Sequence, residues 1–134
     1  MIVLDASVVL KWILGSEEDE EKAKHYQEGH IAGEEVVAVP SLFFYEIANV
    51  LSTKTKLSAR DAADAFSLIW NFDLEVFSFG LDEFLEGITL SRKHRITLYD
   101  AAYIGLARKL GCPFVTADRR LYRKVRGMRE VRIL

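Results

Sequence analysis

The chain begins with Met1-Ile-Val-Leu-Asp5-Ala-Ser7-Val-Val-Leu-Lys-Trp12. The apolar run Ile2–Leu4 is too short to cross a membrane and too rich in β-branched residues to start a helix. Such a run is typical of a central strand in a parallel sheet, buried on both faces. Asp5 follows it directly, and in open α/β sheets the chemistry lies just beyond the carboxyl ends of the strands. One alternative stays open: Asp5, or Ser7, merely caps a helix over Val8–Leu14.

Length and composition place the chain among globular proteins. Its 134 residues are half hydrophobic, and they predict one domain over residues 1–134. The single cysteine, Cys112, excludes an intramolecular disulfide and a cysteine-rich zinc site. The sequence shows no basic leader and no long apolar segment, so we expect a cytoplasmic protein without a membrane anchor. Amides are scarce, which is typical of thermophilic proteins.

Charge is unevenly distributed, although the net charge of −2 is close to neutral. Residues 61–90 carry seven acids and no Lys or Arg, whereas residues 91–134 carry twelve Lys or Arg against three acids. A basic C-terminal third suits the phosphate backbone of a nucleic acid. The alternative for any one of these side chains is a solvated surface position.

Strand and helix patterns alternate along the chain. Predicted strands cover Ile2–Leu4, Glu35–Val39, Leu74–Phe79, Phe114–Thr116 and Val131–Ile133. Predicted helices cover Val8–Leu14, Ser16–Gln27, Leu42–Thr55, Ala59–Trp70, Leu81–Lys93, Thr97–Leu110 and Arg119–Val125. This alternation predicts right-handed crossovers with helices on both faces of a sheet. The fold class is therefore α/β, a three-layer α/β/α arrangement around a central, mainly parallel sheet of about five strands.

Four acids fall near the carboxyl ends of predicted strands. Asp5 follows the first strand, and Asp118 follows the fourth. Glu46 lies in the second turn of the helix after the second strand, and Asp100 begins the helix that leads to the fourth. Local alternatives exist for two of them: Asp118 as the N-cap of the helix after it, and Asp100 as part of a capping box with Thr97. Each local explanation is credible for a single acid, but we do not expect all four acids to point toward one crevice by chance.

Four carboxylates in one crevice repel one another, which raises their pKa values. A divalent cation relieves this repulsion, and an all-oxygen site suits Mg²⁺ or Mn²⁺ rather than zinc. Such a site lowers the pKa of a bound water and stabilises charge on a phosphodiester. The sequence offers no Ser–His or Cys–His constellation and no glycine-rich phosphate loop as a competing site.

Four motifs follow one another along the chain. They are Val3-Leu-Asp5-Ala-Ser7, Pro40-Ser-Leu-Phe-Phe-Tyr-Glu46-Ile-Ala-Asn49, Leu98-Tyr-Asp100-Ala-Ala-Tyr-Ile-Gly-Leu-Ala107 and Val115-Thr-Ala-Asp118. In this order they resemble the PIN-domain ribonucleases, and most of all the VapC toxins of prokaryotic toxin–antitoxin modules. The resemblance covers the whole chain. Any one motif alone would be a weak signal.

The resemblance implies a role for each acid. It makes Asp5, Glu46, Asp100 and Asp118 the catalytic quartet around Mg²⁺ or Mn²⁺, with Glu46 often acting through water. It further implies homodimers, RNA cleavage and neutralisation by a small antitoxin protein. Supporting positions that match the family are the hydroxyls of Ser7 and Thr116 and the amide of Asn49. Some members carry a further acid after the last aspartate; this chain has Arg119, Arg120 and Leu121 there, which argues against a complete second metal site.

The sequence thus predicts a metal-dependent endoribonuclease, with the basic C-terminal third holding the RNA backbone through Arg119, Arg120 and Arg123. The alternative is a catalytically silent PIN-like module that binds RNA or a protein without cleaving it. A receiver domain would need a pair of acids at the first strand, which this sequence lacks. A haloacid-dehalogenase phosphatase would need an aspartate at the position of Ser7. The apolar helix Leu42–Thr55 and its neighbour Ala59–Trp70 predict the surface of a homodimer.

Overall fold

Five short strands form one central sheet in the computed structural model, which describes residues 1–15 and 18–134. The strands are β1 (Ile2–Leu4), β2 (Val37–Pro40), β3 (Glu75–Phe77), β4 (Phe114–Thr116) and β5 (Val131–Ile133). Their order is β3-β2-β1-β4-β5, and every neighbouring pair is parallel, so the sheet is parallel throughout rather than mainly parallel. The inner strands β1, β2 and β4 are buried along their whole length, which explains their apolar sequences.

Helices connect the strands and cover the sheet. They are α1 (Ala6–Val9), α2 (Lys11–Leu14), α3 (Glu20–Ile31), α4 (Leu42–Thr53), α5 (Ala59–Trp70), α6 (Leu81–His94), α7 (Leu98–Leu110) and α8 (Arg119–Val125). Right-handed crossovers in this strand order put α1 to α5 on one face and α6 to α8 on the other. The predicted α/β fold class is confirmed. In the part of the chain described, no helix is both long and apolar enough to cross a bilayer.

The strand order creates a switch point at the carboxyl ends of two central strands. From β1 the chain moves outward through β2 and β3, and it then returns to the other side of β1 with β4 and β5. The carboxyl ends of β1 and β4 therefore flank the point at which the direction of winding reverses. In open α/β sheets, ligands bind in the crevice at such a switch point. Asp5 and Asp118 are the acids that follow these two strands.

Several predicted helix boundaries are confirmed by their hydrogen bonds. The Ser58 hydroxyl accepts a hydrogen bond from the Asp61 N–H at 3.0 Å, and Thr97 and Asp100 form a reciprocal capping box. Gly111 ends α7 in the left-handed conformation, at φ 64°, where a side chain would be strained. Ser41 precedes α4 and is a residue type that often caps helices, but its side chain makes no capping bond and its backbone is already helical.

Other boundaries differ from prediction. The helix expected over Val8–Leu14 begins at Ala6 and is divided by a turn at Leu10. The second helix continues past Gln27 to Ile31, and the predicted capping box of Ser16 with Asp19 includes a residue outside the described ranges. His30 near the end of α3 was expected to be solvated. Instead its ring bridges the Phe72 carbonyl at 2.7 Å and the Glu35 carbonyl at 3.2 Å, which ties the helix end to two loops.

Candidate active site

Asp5 lies at the carboxyl end of β1, where the side chains of Ser7 and Thr116 orient its carboxylate. Its backbone N–H donates to the Val115 carbonyl of the neighbouring strand at 3.0 Å. Its Oδ2 accepts hydrogen bonds from the Ser7 hydroxyl at 2.8 Å and from the Thr116 hydroxyl. Asp5 occupies the N-cap position of α1, but its carboxylate also binds the hydroxyls of Ser7 and Thr116, so the alternative that it merely caps a helix is wrong. Ser7 does not cap either, because its hydroxyl accepts from the Ala117 N–H at 3.0 Å.

Thr116 joins the ends of the two central strands. It is fully buried at the end of β4, and its hydroxyl donates to Asp5 while accepting from the Asp118 N–H at 3.0 Å. A buried hydroxyl normally needs such partners, because an unpaired polar group inside a protein costs about 1–3 kcal/mol. One threonine therefore fixes the orientation of Asp5 and the start of the segment that carries Asp118.

Asp118 and Asp100 both take part in helix capping, which was the alternative explanation for each of them. Asp118 Oδ1 accepts from the N–H groups of Arg120 and Leu121 at 2.7 and 3.0 Å, so it caps α8. Asp100 Oδ2 accepts from the Thr97 N–H at 3.4 Å. These contacts leave acceptor capacity on both carboxylates, because each carboxylate has a second oxygen that can accept hydrogen bonds or bind a cation. Capping and ligand binding are therefore compatible at both positions.

Glu46 is positioned by a residue that the sequence did not single out. The buried Tyr103 of α7 donates its hydroxyl proton to Glu46 Oε2, and the Tyr103 ring stacks on Phe114 of β4. Burial raises the pKa of Glu46 to about 7, opposed by the Tyr103 hydrogen bond and reinforced by the charges of Asp5 and Asp100. Glu46 is therefore close to half-protonated at neutral pH when no cation is present.

The four acids influence one another electrostatically. Burial is the main cause that raises the pKa of Asp5, and the charge of Asp100 adds to it, whereas hydrogen bonds from Thr116 and Ser7 lower it. Burial also raises the pKa of Asp100, with a further contribution from Asp118. Since Glu46 responds to Asp5 and Asp100, each acid is coupled to at least one other. The structure thus places Asp100 close enough to Asp5, Glu46 and Asp118 for their charges to act on one another, and the shared site of all four acids stays a prediction.

The donor chemistry of this crevice fits a hard divalent cation. Among the residues described, no group of three or more Asp, Glu, His or Cys side chains forms a ready-made metal cage. Mg²⁺ does not require one, because it dehydrates reluctantly and is usually bound by one or two carboxylates while keeping several waters. Carboxylates with raised pKa values and neighbouring hydroxyls provide oxygen ligands of the right kind.

The remaining predicted residues differ in how close they lie to the acids. Asn49 shares a cavity with Glu46, one turn further along α4. Arg120 and Arg123 are exposed on α8, the helix capped by Asp118. Arg119 is exposed as well, but its guanidinium pairs with Glu18 and lies 3.7 Å from Asp19. That pairing makes Arg119 the weakest of the three RNA-binding candidates.

Two residues near the acids were missed by sequence analysis. Tyr103 had only its place in the third motif, and Lys124 only its place in the basic C-terminal third. Lys124 Nζ donates to the Arg95 carbonyl at 2.8 Å, and its charge lowers the pKa of Asp100. Neither role has a local signal, because both partners are distant in sequence. A cation in this position is suited to contact a phosphate beside the acids.

We expect the free energy of unfolding of the metal-free protein to fall as pH rises from 4.5 to about 7. In this window the folded state binds more protons than the unfolded state, because the pKa of Glu46 is raised from 4.5 to about 7. Urea denaturation across the window should show a shallower decline in Glu46→Gln, which retains an acceptor for Tyr103. A matched control is Glu83→Gln: Lys109 lowers the pKa of Glu83 to about 2, so it titrates below the window. Equal slopes in wild type and Glu46→Gln would contradict this origin.

Comparison with known proteins identifies the family. The PIN domain family matches residues 2–127. Ribonuclease VapC3 of Pyrobaculum aerophilum is 30% identical over 128 residues, which cover 92% of this chain and 93% of that protein. The chain belongs to the PIN-domain family, and the resemblance seen in the four sequence motifs is confirmed.

Solved structures agree with this assignment at the level of the fold. A toxin–antitoxin complex from Klebsiella pneumoniae matches with a TM-score of 0.73 at 13% identity, covering 98% of this chain and 96% of that one. VapC20 of Mycobacterium tuberculosis, a sarcin–ricin loop cleaving toxin, matches with a TM-score of 0.69 at 17% identity, covering 92% and 94%. Identities this low show a shared architecture.

Proposed function

We propose that this chain is a Mg²⁺- or Mn²⁺-dependent endoribonuclease that hydrolyses RNA phosphodiesters, and that it is the toxin of a VapBC-type pair. The observation that carries the proposal is the Thr116 hydroxyl, which links Asp5 at the end of β1 to the backbone of Asp118 after β4. This link sets two carboxylates at the switch point of the sheet, with Asp100 and Glu46 electrostatically coupled to them. The similarity to Ribonuclease VapC3 supports RNA as the substrate.

Asp5, Asp100 and Asp118 would hold the cation, and Glu46 would act beside it. When bound, the cation lowers the pKa of water and stabilises negative charge on the phosphodiester. Ser7 and Thr116 orient the Asp5 carboxylate through their hydrogen bonds. The pKa of Glu46 is about 7 in the metal-free protein, and a bound cation would favour the ionised form, which is the form that accepts a proton. The exposed Arg120, Arg123 and Lys124 of α8 would contact the RNA backbone.

Two substitutions at Asp118 separate catalysis from helix capping. Asp118→Asn keeps a good N-cap, so we expect little loss of stability, but removal of the charge should reduce metal-dependent RNA cleavage by more than about a hundredfold. Asp118→Ala should lose the same activity and in addition about 1 kcal/mol of stability through the lost cap. Cleavage of labelled RNA and urea denaturation measure the two effects. An Asp118→Asn protein that cleaves RNA at the wild-type rate would refute the proposed function.

The alternative function, a catalytically silent PIN-like module that binds RNA or a protein, predicts a different outcome. Such a module would bind RNA without cleaving it in Mg²⁺ or Mn²⁺, and chelation of the metal would leave binding unchanged. The raised pKa values of three acids favour the enzyme, because burial disfavours their charged forms unless a cation is bound, and a silent module has no use for that arrangement.

A small antitoxin protein is the proposed partner. Solved relatives of the same fold are toxin–antitoxin complexes, which supports a partner of this class. The four acids form a concentrated negative site in the absence of metal. Arginine is well shaped to meet carboxylates, because its planar fork of donors binds them in pairs. An antitoxin that inserts an Arg or Lys from a flexible segment would compete with the metal.

We also propose a homodimer of one domain per chain, located in the cytoplasm. The interface expected on α4 and α5 stays a prediction: Phe43, Ile47 and Leu51 of α4 are buried within the chain, whereas Leu68 and Trp70 of α5 are exposed. A longer exposed apolar stripe lies on α6, at one-turn spacing: Leu81, Phe84, Leu85 and Ile88. The first turn of α6 is acidic and its last turn is basic. Two antiparallel copies would therefore place opposite charges together around an apolar centre.

Light scattering should show the mass of a dimer at micromolar concentration. The interface of that dimer is expected to bury more than about 1,000 Å². Leu85→Glu should give a monomer, because it places a carboxylate in the centre of the apolar stripe. Leu68→Glu on α5 is the matched control, since Leu68 and Leu85 are 53% and 54% exposed. Dissociation by Leu68→Glu alone would move the interface to α5, and a wild-type monomer would remove the dimer.

A further inference from the structure

Two tyrosines beside the acids are exposed to an unusual degree. Tyr45 is 80% exposed and directly precedes Glu46, and Tyr99 is 61% exposed and directly precedes Asp100. The other aromatic residues of α4, Phe43 and Phe44, pack against each other and the core. In the described part of the chain, neither tyrosine ring stacks on another aromatic side chain. Both rings are therefore available to a ligand.

The two rings border the same cavity. It has a volume of about 490 Å³ and is lined by Leu42, Tyr45, Glu46, Asn49 and Tyr99. This volume falls in the range of about 300–1,000 Å³ that is usual for sites that bind small molecules or parts of larger ones. Tyr45 and Asn49 are four residues apart on α4, so they lie on one face of the helix. The cavity thus combines two aromatic rings with one amide, and Glu46 connects it to the crevice.

These groups are the ones that recognise single-stranded RNA in general. Unpaired bases stack on tyrosine rings, and amide side chains hydrogen-bond to base edges because they offer both donors and acceptors. Stacking tolerates any base, since every base has a flat π-face, whereas an amide distinguishes between base edges. The cavity therefore has one feature that supplies affinity and another that supplies sequence preference.

The cavity adjoins the crevice in which the phosphodiester would be cut. A phosphodiester cut at the four acids carries a nucleoside on each side. Glu46 belongs to both the acidic crevice and the cavity wall, so the base of an adjoining nucleotide is brought to Tyr45 and Tyr99. An antitoxin segment that inserts a cation into the crevice would reach the same cavity, and the test below separates that occupant from RNA.

We propose that Tyr45, Tyr99 and Asn49 form a nucleobase-binding subsite for the nucleotide that adjoins the scissile phosphodiester. The proposal rests on the endoribonuclease function proposed above. Tyr45 and Tyr99 hold the base by stacking, and Asn49 hydrogen-bonds to its edge. The subsite sets which nucleotide lies next to the cut.

Binding is measured by fluorescence anisotropy with short labelled single-stranded RNA and Mg²⁺, in an Asp118→Asn background so that the RNA stays intact. Tyr45→Ala and Tyr99→Ala should each weaken binding by about 5- to 140-fold, the equivalent of one lost base–aromatic stack. Tyr45→Phe and Tyr99→Phe keep the ring and should retain affinity. Trp70→Ala is the control, because Trp70 is 60% exposed on α5, outside the cavity.

An abasic nucleotide tests whether the rings contact a base. Moving one abasic position along the RNA should identify a nucleotide whose base contributes to binding in the tyrosine-containing protein. Against that RNA, Tyr45→Ala should cause no further loss, because the two changes remove the same interaction. Asn49→Ala, in the otherwise wild-type protein, should change the relative cleavage rates of four RNAs that differ only at that nucleotide.

Each outcome decides between the claims. Wild-type affinity in both alanine variants, or equal losses with Phe and Ala, overturns the stacking subsite. Additive losses from Tyr45→Ala and the abasic position also overturn it. If the alanine variants bind RNA normally but lose a copurifying protein inhibitor, the surface belongs to that partner and the RNA subsite is wrong. Undiminished RNA cleavage by Asp118→Asn refutes the proposed function instead, independently of the tyrosines.

Discussion

Replacing Asp5 by Asn is expected to reduce metal-dependent RNA cleavage by more than about a hundredfold, because loss of a ligand should exceed the 10–100-fold effect of its outer-shell partners. Asn keeps the size of the side chain and an oxygen that can accept from Ser7 and Thr116. Only the negative charge is removed, so the fold should remain. Single-turnover cleavage in Mg²⁺ measures the effect, with circular dichroism to verify folding.

The hydroxyl partners of Asp5 provide graded variants of the same experiment. Ser7→Ala and Thr116→Val each remove one donor to Asp5, and about 10–100-fold losses are expected from their role in orientation. Asp64→Asn is the matched control, because Asp64 is exposed on α5 and has no role in the crevice. Full cleavage activity in Asp5→Asn would exclude Asp5 from the reaction, whereas a wild-type protein that binds RNA without cleaving it would favour the silent binding module.

Mg²⁺ or Mn²⁺ should stabilise the folded protein by about 3 kcal/mol at one hundred times the dissociation constant. For a domain of this size that corresponds to roughly a 10 °C rise in melting temperature. The physical cause is the neutralisation of buried carboxylates: burial, and to a smaller extent neighbouring negative charges, raise the pKa values of Asp5, Glu46 and Asp100. Acids with raised pKa values destabilise the fold at neutral pH, and a cation reverses this. Differential scanning calorimetry with and without metal measures the shift.

The double variant Asp5→Asn/Asp100→Asn should respond much less to the same ions. Without metal at neutral pH it should be more stable than the wild type, because two mutually repelling charges have been removed. Asn at position 100 still accepts from the Thr97 N–H, so the capping box is preserved. The charge-matched control is Asp61→Asn/Asp64→Asn on α5, which should keep the full metal response. A metal response in the crevice variant as large as in the wild type would remove the proposed site.

Local signals in the sequence correctly predicted the elements that carry the site. The apolar runs of β1 and β4 matched the structure residue for residue, since a fully buried strand leaves an uninterrupted apolar pattern. The caps at Thr97 and Asp118 were also predicted, because capping bonds join residues two or three positions apart. The break at Leu10 was missed, since the sequence 6–14 is compatible with one continuous helix.

Positions of the four acids along the chain were therefore accessible from the sequence, and the resemblance to a known family gave them their roles. The contacts that orient them were not accessible. Thr116 and Asp5 are 111 residues apart in sequence, and Tyr103 and Glu46 are 57 apart. Periodicity and capping patterns describe near neighbours only, so a tyrosine within an apolar helix gives no sign of the carboxylate that it meets.

By itself, the sequence determined the α/β class, the buried strands and the acids that follow them. Only the tertiary structure decided that β4 lies beside β1, which turns Asp5 and Asp118 into neighbours joined through Thr116. It likewise brought Tyr45 and Tyr99, from different helices, to one cavity. The physical reason is that strand order depends on the packing of helices against the whole sheet, a free energy summed over contacts between distant residues, which no local pattern contains.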